Sequence, residues 1–311
     1  MKKIRYKIAV IMILSIGFIL SSKDVKAASI QSTYIISEPY QYPITPGTNE
    51  WNELKTLEER VRACEIPDYI LSVLTTEALV ESVVDYPLIV YMFAYDTTQM
   101  GYEKVISYFN GLQELATRTD ALEKLQEYIY RQNSNILKRD IAETILENLT
   151  ESNNQDLFSV FALMAETHYD YTPNGSRIAL IYNMTYADHG TTQADVSSEN
   201  ATYSLLHSSA VAYGNINPAY NCHSYAWYNA STNNKYWLNG TYVTSYITDG
   251  SYRQVPSPAV GDVVLYENGD HSGIYKGSGY VMSKWGKCGL YYHPLTDCPY
   301  TVTGITYWRK N

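Results

Sequence analysis

Two residues late in the chain have the types needed for nucleophilic chemistry, a cysteine and a histidine. Cys222 follows a turn at Asn217-Pro218 and begins a run with helical spacing, so we expect it at a helix N-terminus. There the helix dipole and the free backbone N–H groups favour a thiolate and can stabilise an oxyanion. His271 follows a turn and opens a predicted strand that continues through Tyr275. A Cys–His pair of this kind is what thiol-based acyl transfer requires.

The histidine must be positioned by a hairpin. Residues 263–266 are β-branched and apolar and follow the turn at Gly261-Asp262, which predicts a buried strand. After the turn at 267–270 comes the His271 strand, and a Gly-Ser-Gly turn leads to a third strand over 280–285. This small antiparallel sheet would hold the imidazole beside the helix that carries Cys222.

The order of these elements resembles the papain-like NlpC and CHAP cell-wall hydrolases over residues 205–311. Those families have a cysteine at a helix start and a histidine on a following antiparallel sheet, and they hydrolyse amide bonds of peptidoglycan peptides. The resemblance implies that Cys222 is the nucleophile and His271 the general base. By the same resemblance, Asn221 would donate to the oxyanion.

The resemblance does not assign the residue that orients His271. The matching strand position falls near Ser283, where NlpC-like enzymes carry a histidine or another polar residue. CHAP-like enzymes tend to carry Glu and Asn there, and Ser283, Lys284 and Trp285 depart from that pattern. His293 lies further along the chain and could also reach the His271 ring. Ser283 and His293 are therefore both kept as candidates. His223 adjoins Cys222, but neighbouring side chains diverge on a helix, so we expect it to point away from the sulfur and to be structural.

The chain has four cysteines, and other interpretations of them stay open. In an exported protein Cys222 could pair with Cys64, and Cys288 with Cys298, as disulfides. The cysteine and histidine spacing does not match a zinc site. We therefore expect no metal and no cofactor.

The N-terminus predicts export. Residues 1–27 have a basic start and a short apolar run. Val25-Lys26-Ala27 then offers small or medium residues at the positions that a signal peptidase reads. These features together are typical of a bacterial secretory signal peptide. The alternative is an uncleaved anchor, but the apolar run is shorter than the roughly 20 residues that span a bilayer. No later segment has the required length and apolarity. We therefore expect a secreted protein, with association with the cell wall as a further expectation.

The net charge of the chain changes sign near residue 200. Residues 28–200 carry 10 basic and 26 acidic groups, a net charge of −16, whereas residues 201–311 carry 7 and 5, a net charge of +2. Such a step suggests a domain boundary. The acidic half argues against nucleic-acid binding, which needs clustered Lys and Arg.

Apolar spacing predicts an α+β protein with an all-α N-terminal domain. The family resemblance implies that a papain-like C-terminal domain follows, with a helix packed on a small antiparallel sheet. The predicted parts after the signal peptide are an extended leader at 28–50, a helical domain at 51–165, a linker region at 166–204, and the hydrolase domain at 205–311. Within the linker region we expect a strand at 178–185 and a polar, turn-rich stretch at 187–201. Within the helical part, Asp120 is expected to cap a helix. No group of catalytic residue types appears there, so it could be a spacer or could bind a cell-surface partner.

Three functions are compatible with the sequence. The first is a secreted cysteine hydrolase, an amidase or peptidase, that cleaves amide bonds in peptidoglycan peptides. The second is a secreted cysteine protease that acts on proteins by the same chemistry. The third is a non-catalytic cell-surface binding protein in which a disulfide occupies Cys222.

Overall fold

The computed structural model describes residues 34–132, 134–151, 167–266 and 269–311. The predicted signal peptide lies outside these residues. From Ile35 to Asn311 the chain forms one compact unit. Helices dominate the N-terminal half and antiparallel sheets the C-terminal half, so the fold is mixed α+β, as the sequence predicts. Within the described residues, no helix combines the length and the apolarity needed to cross a bilayer.

Short helices make up the first half, because Pro, Gly and Thr-capped turns interrupt the apolar stripes. Thr56 begins one helix with a reciprocal capping box to Glu59, and Thr75 caps another through the backbone N–H of Ala78. The helices are α1 (Asn49–Glu53), α2 (Leu57–Ala63), α3 (Asp68–Leu71), α4 (Thr76–Val84), α5 (Thr98–Tyr108), α6 (Asn110–Thr117), α7 (Ala121–Arg131) and α8 (Ile136–Glu151), with a 3₁₀ segment at Ile89–Phe93.

One local prediction in this half needs correction. Asp120 precedes α7 but its side chain does not cap the helix; its carboxylate accepts a 2.8 Å hydrogen bond from the Thr76 hydroxyl instead. Part of the predicted leader contacts the helical half. The backbone N–H of Tyr40 donates to the Ser82 hydroxyl, and Ile36 forms a parallel bridge to Leu74.

Helix α9 (Gln193–Leu206) lies where the sequence indicated a polar, turn-rich stretch. Thr192 and Asp195 form a capping box at its start. Val196, Tyr203 and Leu206 are buried in the core, and the side chains of Asp195 and Glu199 are buried as well. The exposed face carries polar residues such as Gln193, Ser197 and Ser204. The turn-rich interpretation of this stretch is therefore wrong, because a few apolar anchors suffice to hold a largely polar helix.

Among the described residues, the C-terminal half contains two antiparallel sheets. The strands are β1 (Thr167–Tyr171), β2 (Arg177–Tyr182), β3 (Val211–Ala212), β4 (Tyr236–Leu238), β5 (Tyr252–Val255), β6 (Val263–Tyr266), β7 (His271–Gly277), β8 (Tyr280–Lys284), β9 (Leu290–Pro294) and β10 (Thr306–Lys310). The larger sheet has the strand order β3-β9-β8-β7-β6-β10-β5, and the smaller has the order β1-β2-β4. Helix α10 (Val243–Thr248) precedes β5.

The central strands of the larger sheet, β6 to β9, are mostly buried on both faces, which places their polar residues in an apolar setting. Along β6, Val264 and Tyr266 pack in the same core as the N-terminal helices, whereas Val263 packs in a second core. That second core contains the helical turn after Cys222, represented by Ala226 and Trp227. The region that the sequence assigns to catalysis thus shares a core with the helical half, whereas the predicted domain boundaries stay a prediction.

Candidate functional site

Cys222 opens a helical turn, as the sequence predicts. Residues 222–228 are helical, with a π-helical segment at Ser224–Tyr228. The turn starts at Cys222 because the Asn221 side chain caps it: Oδ1 of Asn221 accepts from the backbone N–H of Ser224 at 3.0 Å. The Cys222 side chain is buried.

Asn221, the predicted oxyanion donor, is fully engaged by the protein. Its Nδ2 donates to Oδ1 of Asp96 at 3.0 Å and to the backbone carbonyl of Leu238 at 2.9 Å. An amide nitrogen carries two hydrogens, so both are used. In this conformation Asn221 orients Asp96, and the backbone N–H groups near the sulfur are the donors available to an oxyanion.

His223 does not point away from Cys222, contrary to the expectation. A ring nitrogen of His223, a carboxylate oxygen of Asp96 and Sγ of Cys222 all lie within 4.8 Å of one another. The physical reason is a hydrogen bond from the sheet: Nδ1 of His223 lies 2.8 Å from Oγ of Ser272, which also accepts from the Trp227 indole at 2.9 Å. The other nitrogen, Nε2, lies 3.9 Å from Oδ2 of Asp96.

His271 opens β7, as predicted, and its ring is completely buried. The ring stacks on Tyr300 with centroids 3.5 Å apart and planes 8° apart. Among the described residues neither ring nitrogen has a hydrogen-bond partner, so no such bond joins His271 to Cys222. Burial lowers the pKa of His271, and His293 and His223 lower it further. The pairing of His271 with Cys222 stays a prediction.

Ser283 and His293 bind each other. Nε2 of His293 lies 2.7 Å from Oγ of Ser283, and Nδ1 lies 2.8 Å from the carbonyl of Pro294. Burial lowers the pKa of His293 to about 4, so the ring is neutral at pH 7. Because a carbonyl only accepts, Nδ1 carries the proton and Nε2 accepts from the Ser283 hydroxyl. Neither residue is hydrogen-bonded to His271, so their role as its orienting group stays a prediction.

The electrostatic setting favours a neutral thiol at rest. Burial raises the pKa of Cys222 and the charge of Asp96 raises it further, while the backbone N–H groups of Ser272 and His223 and the charge of Lys284 oppose these effects. Burial likewise lowers the pKa of His223, which Asp96 partly offsets. Ionisation of Cys222 therefore requires the proton to move as the sulfur attacks or a cation to replace it.

Lys284 places a buried amine beside this cluster. Its Nζ donates to the carbonyl of Gly286 at 2.7 Å and lies 5.0 Å from the centroid of the Tyr220 ring. Burial lowers its pKa to about 7, and the thiols of Cys288 and Cys222 act in the opposite direction. Sequence reasoning noted Lys284 only as a residue that departs from the family pattern.

The cluster reaches the surface on one side. The side chain of Asp96 is 18% exposed, and Gly240 adjoins the His223 ring so closely that a Cβ there would lie 3.1 Å from Nε2. Nearby, Lys104 and Asp270 form a 2.5 Å ion pair. Asp96 could not be found from the sequence, because it lies in the helical half and no local pattern links it to Cys222.

All four cysteines are free, so the structure contains neither the Cys64–Cys222 nor the Cys288–Cys298 disulfide. Cys288 instead donates to Oε2 of Glu199 at 3.4 Å. The Cys222 thiol is consequently available for chemistry.

No protein-family model, curated protein or solved structure matches this chain. A functional proposal for it therefore depends on the geometry and chemistry of the site.

Proposed function

We propose that this protein is a cysteine-dependent hydrolase of amide bonds with Cys222 as its nucleophile. The observation that carries the proposal is the cluster at the helix start, where a free thiol, an imidazole and a carboxylate lie within 4.8 Å of one another. The second feature in support is the set of backbone N–H groups of Ser272 and His223 that act on the sulfur. Thiol, base and oxyanion donors are the parts that acyl transfer needs.

In the proposed reaction an imidazole takes the thiol proton as the sulfur attacks a carbonyl carbon. The negative charge that develops on the carbonyl oxygen is stabilised by backbone N–H groups at the helix start. The imidazolium then protonates the leaving amine, and water releases the acyl group from the sulfur to regenerate the thiol. Asp96 would stabilise the imidazolium if the base is His223.

Two histidines compete for the role of base. The family resemblance implies His271, which opens the strand but has no hydrogen-bond partner among the described residues. The geometry supports His223 as the alternative, because its ring nitrogen is within 4.8 Å of Sγ and its Nδ1 lies 2.8 Å from Oγ of Ser272. Substitution of each histidine in turn decides between them.

The proposed substrate is a peptide amide in peptidoglycan, and the proposed location is outside the cell at the wall. Both rest on the resemblance and on the signal-like N-terminus. A secreted protease acting on proteins is the second candidate, since it would use the same residues. The third possibility, a surface-binding protein with Cys222 in a disulfide, has less support because Cys222 is a free thiol.

The test is the rate at which iodoacetamide alkylates Cys222 as a function of pH, followed by mass spectrometry of the peptide that contains it. The variants are His223→Asn and His271→Asn, in chelator-treated full-length protein, with Cys222→Ser as the blank. Release of new amino groups from purified cell wall, compared with release from casein, reports the substrate.

We expect the variant that lacks the base to hydrolyse its substrate about 100-fold more slowly or worse, with a shifted pH profile of alkylation. Loss in His223→Asn alone identifies His223, and loss in His271→Asn alone identifies His271. Unchanged rates in both variants, or hydrolysis that persists in Cys222→Ser, would overturn the proposal.

A further inference from the structure

Three different metal-binding atoms converge at the helix start. Asp96 contributes a carboxylate oxygen from the segment before α5, while Cys222 and His223 contribute sulfur and nitrogen. Their separations are within 4.8 Å, and the donors around a tetrahedral zinc ion are about 3.5 Å apart, from bond lengths of about 2.0–2.3 Å. A contraction of roughly 1 Å would bring all three onto one ion.

Two of the three donors are oriented by neighbours. Asn221 binds Oδ1 of Asp96, and Oδ2 is the oxygen that lies 3.9 Å from Nε2 of His223. Ser272 binds Nδ1 of His223, which leaves Nε2 on the side of Asp96. Metal-binding histidines usually have their second nitrogen held in this way, and such partners fix the ring for coordination.

The charges of the three side chains also match those of a divalent cation. A thiolate and a carboxylate together carry two negative charges in a site where Cys222 and His223 are almost completely buried. A divalent cation with a neutral imidazole would make the set neutral, which removes the penalty for burying unpaired charge. Sulfur and imidazole ligands select zinc or cobalt over magnesium or calcium, which prefer all-oxygen sites.

We propose that Asp96, Cys222 and His223 form a binding site for a divalent transition metal, with zinc as the preferred ion. Binding forms a sulfur–metal bond and releases the thiol proton to water, with no change in oxidation state. Three protein ligands leave a fourth position open, as in zinc sites that bind water or a small ligand. If Cys222 is the nucleophile proposed above, bound metal occupies its sulfur and inhibits hydrolysis; that consequence rests on the proposed function, whereas the metal site does not.

The experiment is titration of metal-free full-length protein with Co²⁺, monitored by the sulfur-to-cobalt charge-transfer absorption in the near ultraviolet. We expect a saturable band with one Co²⁺ per chain that Zn²⁺ abolishes by displacement. The band should disappear in Cys222→Ser. Ser272→Ala, which loses the partner of Nδ1, should weaken Co²⁺ binding roughly 10- to 100-fold.

Two matched variants act as controls. Cys288→Ala removes another buried thiol and His271→Asn removes another buried imidazole, and both should keep the wild-type band. The isosteric Asp96→Asn should bind Co²⁺ more weakly while its thermal unfolding stays close to wild type. Absence of a band in the wild type, or a band that persists in Cys222→Ser, would overturn the metal site.

The two proposals fail independently. The alkylation and hydrolysis assays use chelator-treated protein, so a failed metal titration leaves their outcome unaffected. A protein that binds cobalt through Cys222 but does not hydrolyse amides would support the metal site and exclude the hydrolase.

Discussion

Two buried clusters join the helical half of this protein to its C-terminal half, and both contain an aspartate and a histidine. One is the Arg60 network, formed by Arg60, Tyr91, His207 and Asp297. The other is the Cys222 cluster, formed by Asp96, Cys222 and His223. They differ in how completely their polar atoms are hydrogen-bonded to one another.

In the Arg60 network the charged atoms are closely paired. Asp297 accepts from Arg60 at 2.9 Å and from Nδ1 of His207 at 2.7 Å, and Tyr91 lies 2.9 Å from Nε2 of His207. Burial lowers the pKa of His207 to about 4, so at pH 7 Arg60 supplies the positive charge. Burial alone would raise the pKa of Asp297, but His207 and Arg60 outweigh it and lower the pKa.

The Cys222 cluster is looser. Nε2 of His223 lies 3.9 Å from Asp96, beyond hydrogen-bond distance, and the three donor atoms are spread over as much as 4.8 Å. Polar atoms that are already hydrogen-bonded to each other hold two parts of a protein together. Polar atoms that are oriented toward each other but lie beyond hydrogen-bond distance leave room for a proton transfer or a bound cation. We therefore expect the first cluster to determine stability and the second to determine reactivity.

The largest expected effect is on stability, in Asp297→Asn. The substitution leaves Arg60 buried without its counter-charge, and breaking a buried pair in this way costs about 3–5 kcal/mol. Urea denaturation at pH 7 measures the loss. The stability contributed by Asp297 should start to decline as the pH falls below about 4, because the unfolded chain then binds a proton that the folded chain does not. It is lost completely only when the pH reaches the lowered folded-state pKa, where protonation removes the pair.

Asp96→Asn is the matched substitution in the other cluster. It should change the free energy of unfolding by about 1 kcal/mol or less, yet impair cobalt binding. An equal loss of stability in both variants would contradict the distinction between the clusters.

The next effect concerns Lys284, whose folded-state pKa of about 7 lies below its unfolded value of about 10.4. Between these values the unfolded chain binds more protons, so stability must rise with pH. From pH 7 to pH 9 the wild type should gain about 2 kcal/mol relative to Lys284→Met. Urea denaturation of both proteins at each pH gives the difference. A difference that is constant with pH would show that Lys284 stays charged in the folded protein.

Local sequence patterns predicted the helix start and the strand of the candidate site, but they did not predict the Cys222 cluster. The helix start at Cys222 depends on the cap at Asn221, and the strand that begins at His271 depends on the turn before it. Both could be predicted because they depend on neighbouring residues. The proximity of Asp96 to Cys222 and His223 depends on how the helical half packs against the C-terminal half. No spacing of residues along the sequence indicates that packing. The orientation of His223 depends on Ser272 from a strand 49 residues away, so helical geometry alone gave the wrong direction.

The smallest expected effect tests which side of the His223 ring is open. In Gly240→Ala the added methyl group would lie 3.1 Å from Nε2 of His223 and 3.6 Å from the carbonyl of Gly269. Stability should change by less than about 1 kcal/mol, because Gly240 begins a short 3₁₀ turn and needs no left-handed backbone. Cobalt binding should weaken several-fold, since the methyl group crowds the nitrogen that must approach the metal. The exposed Thr244→Ala on α10 is the control and should bind cobalt as the wild type does. Wild-type binding in Gly240→Ala would mean that the ion approaches His223 from another side, and the open position would then have to be sought beside Asp96.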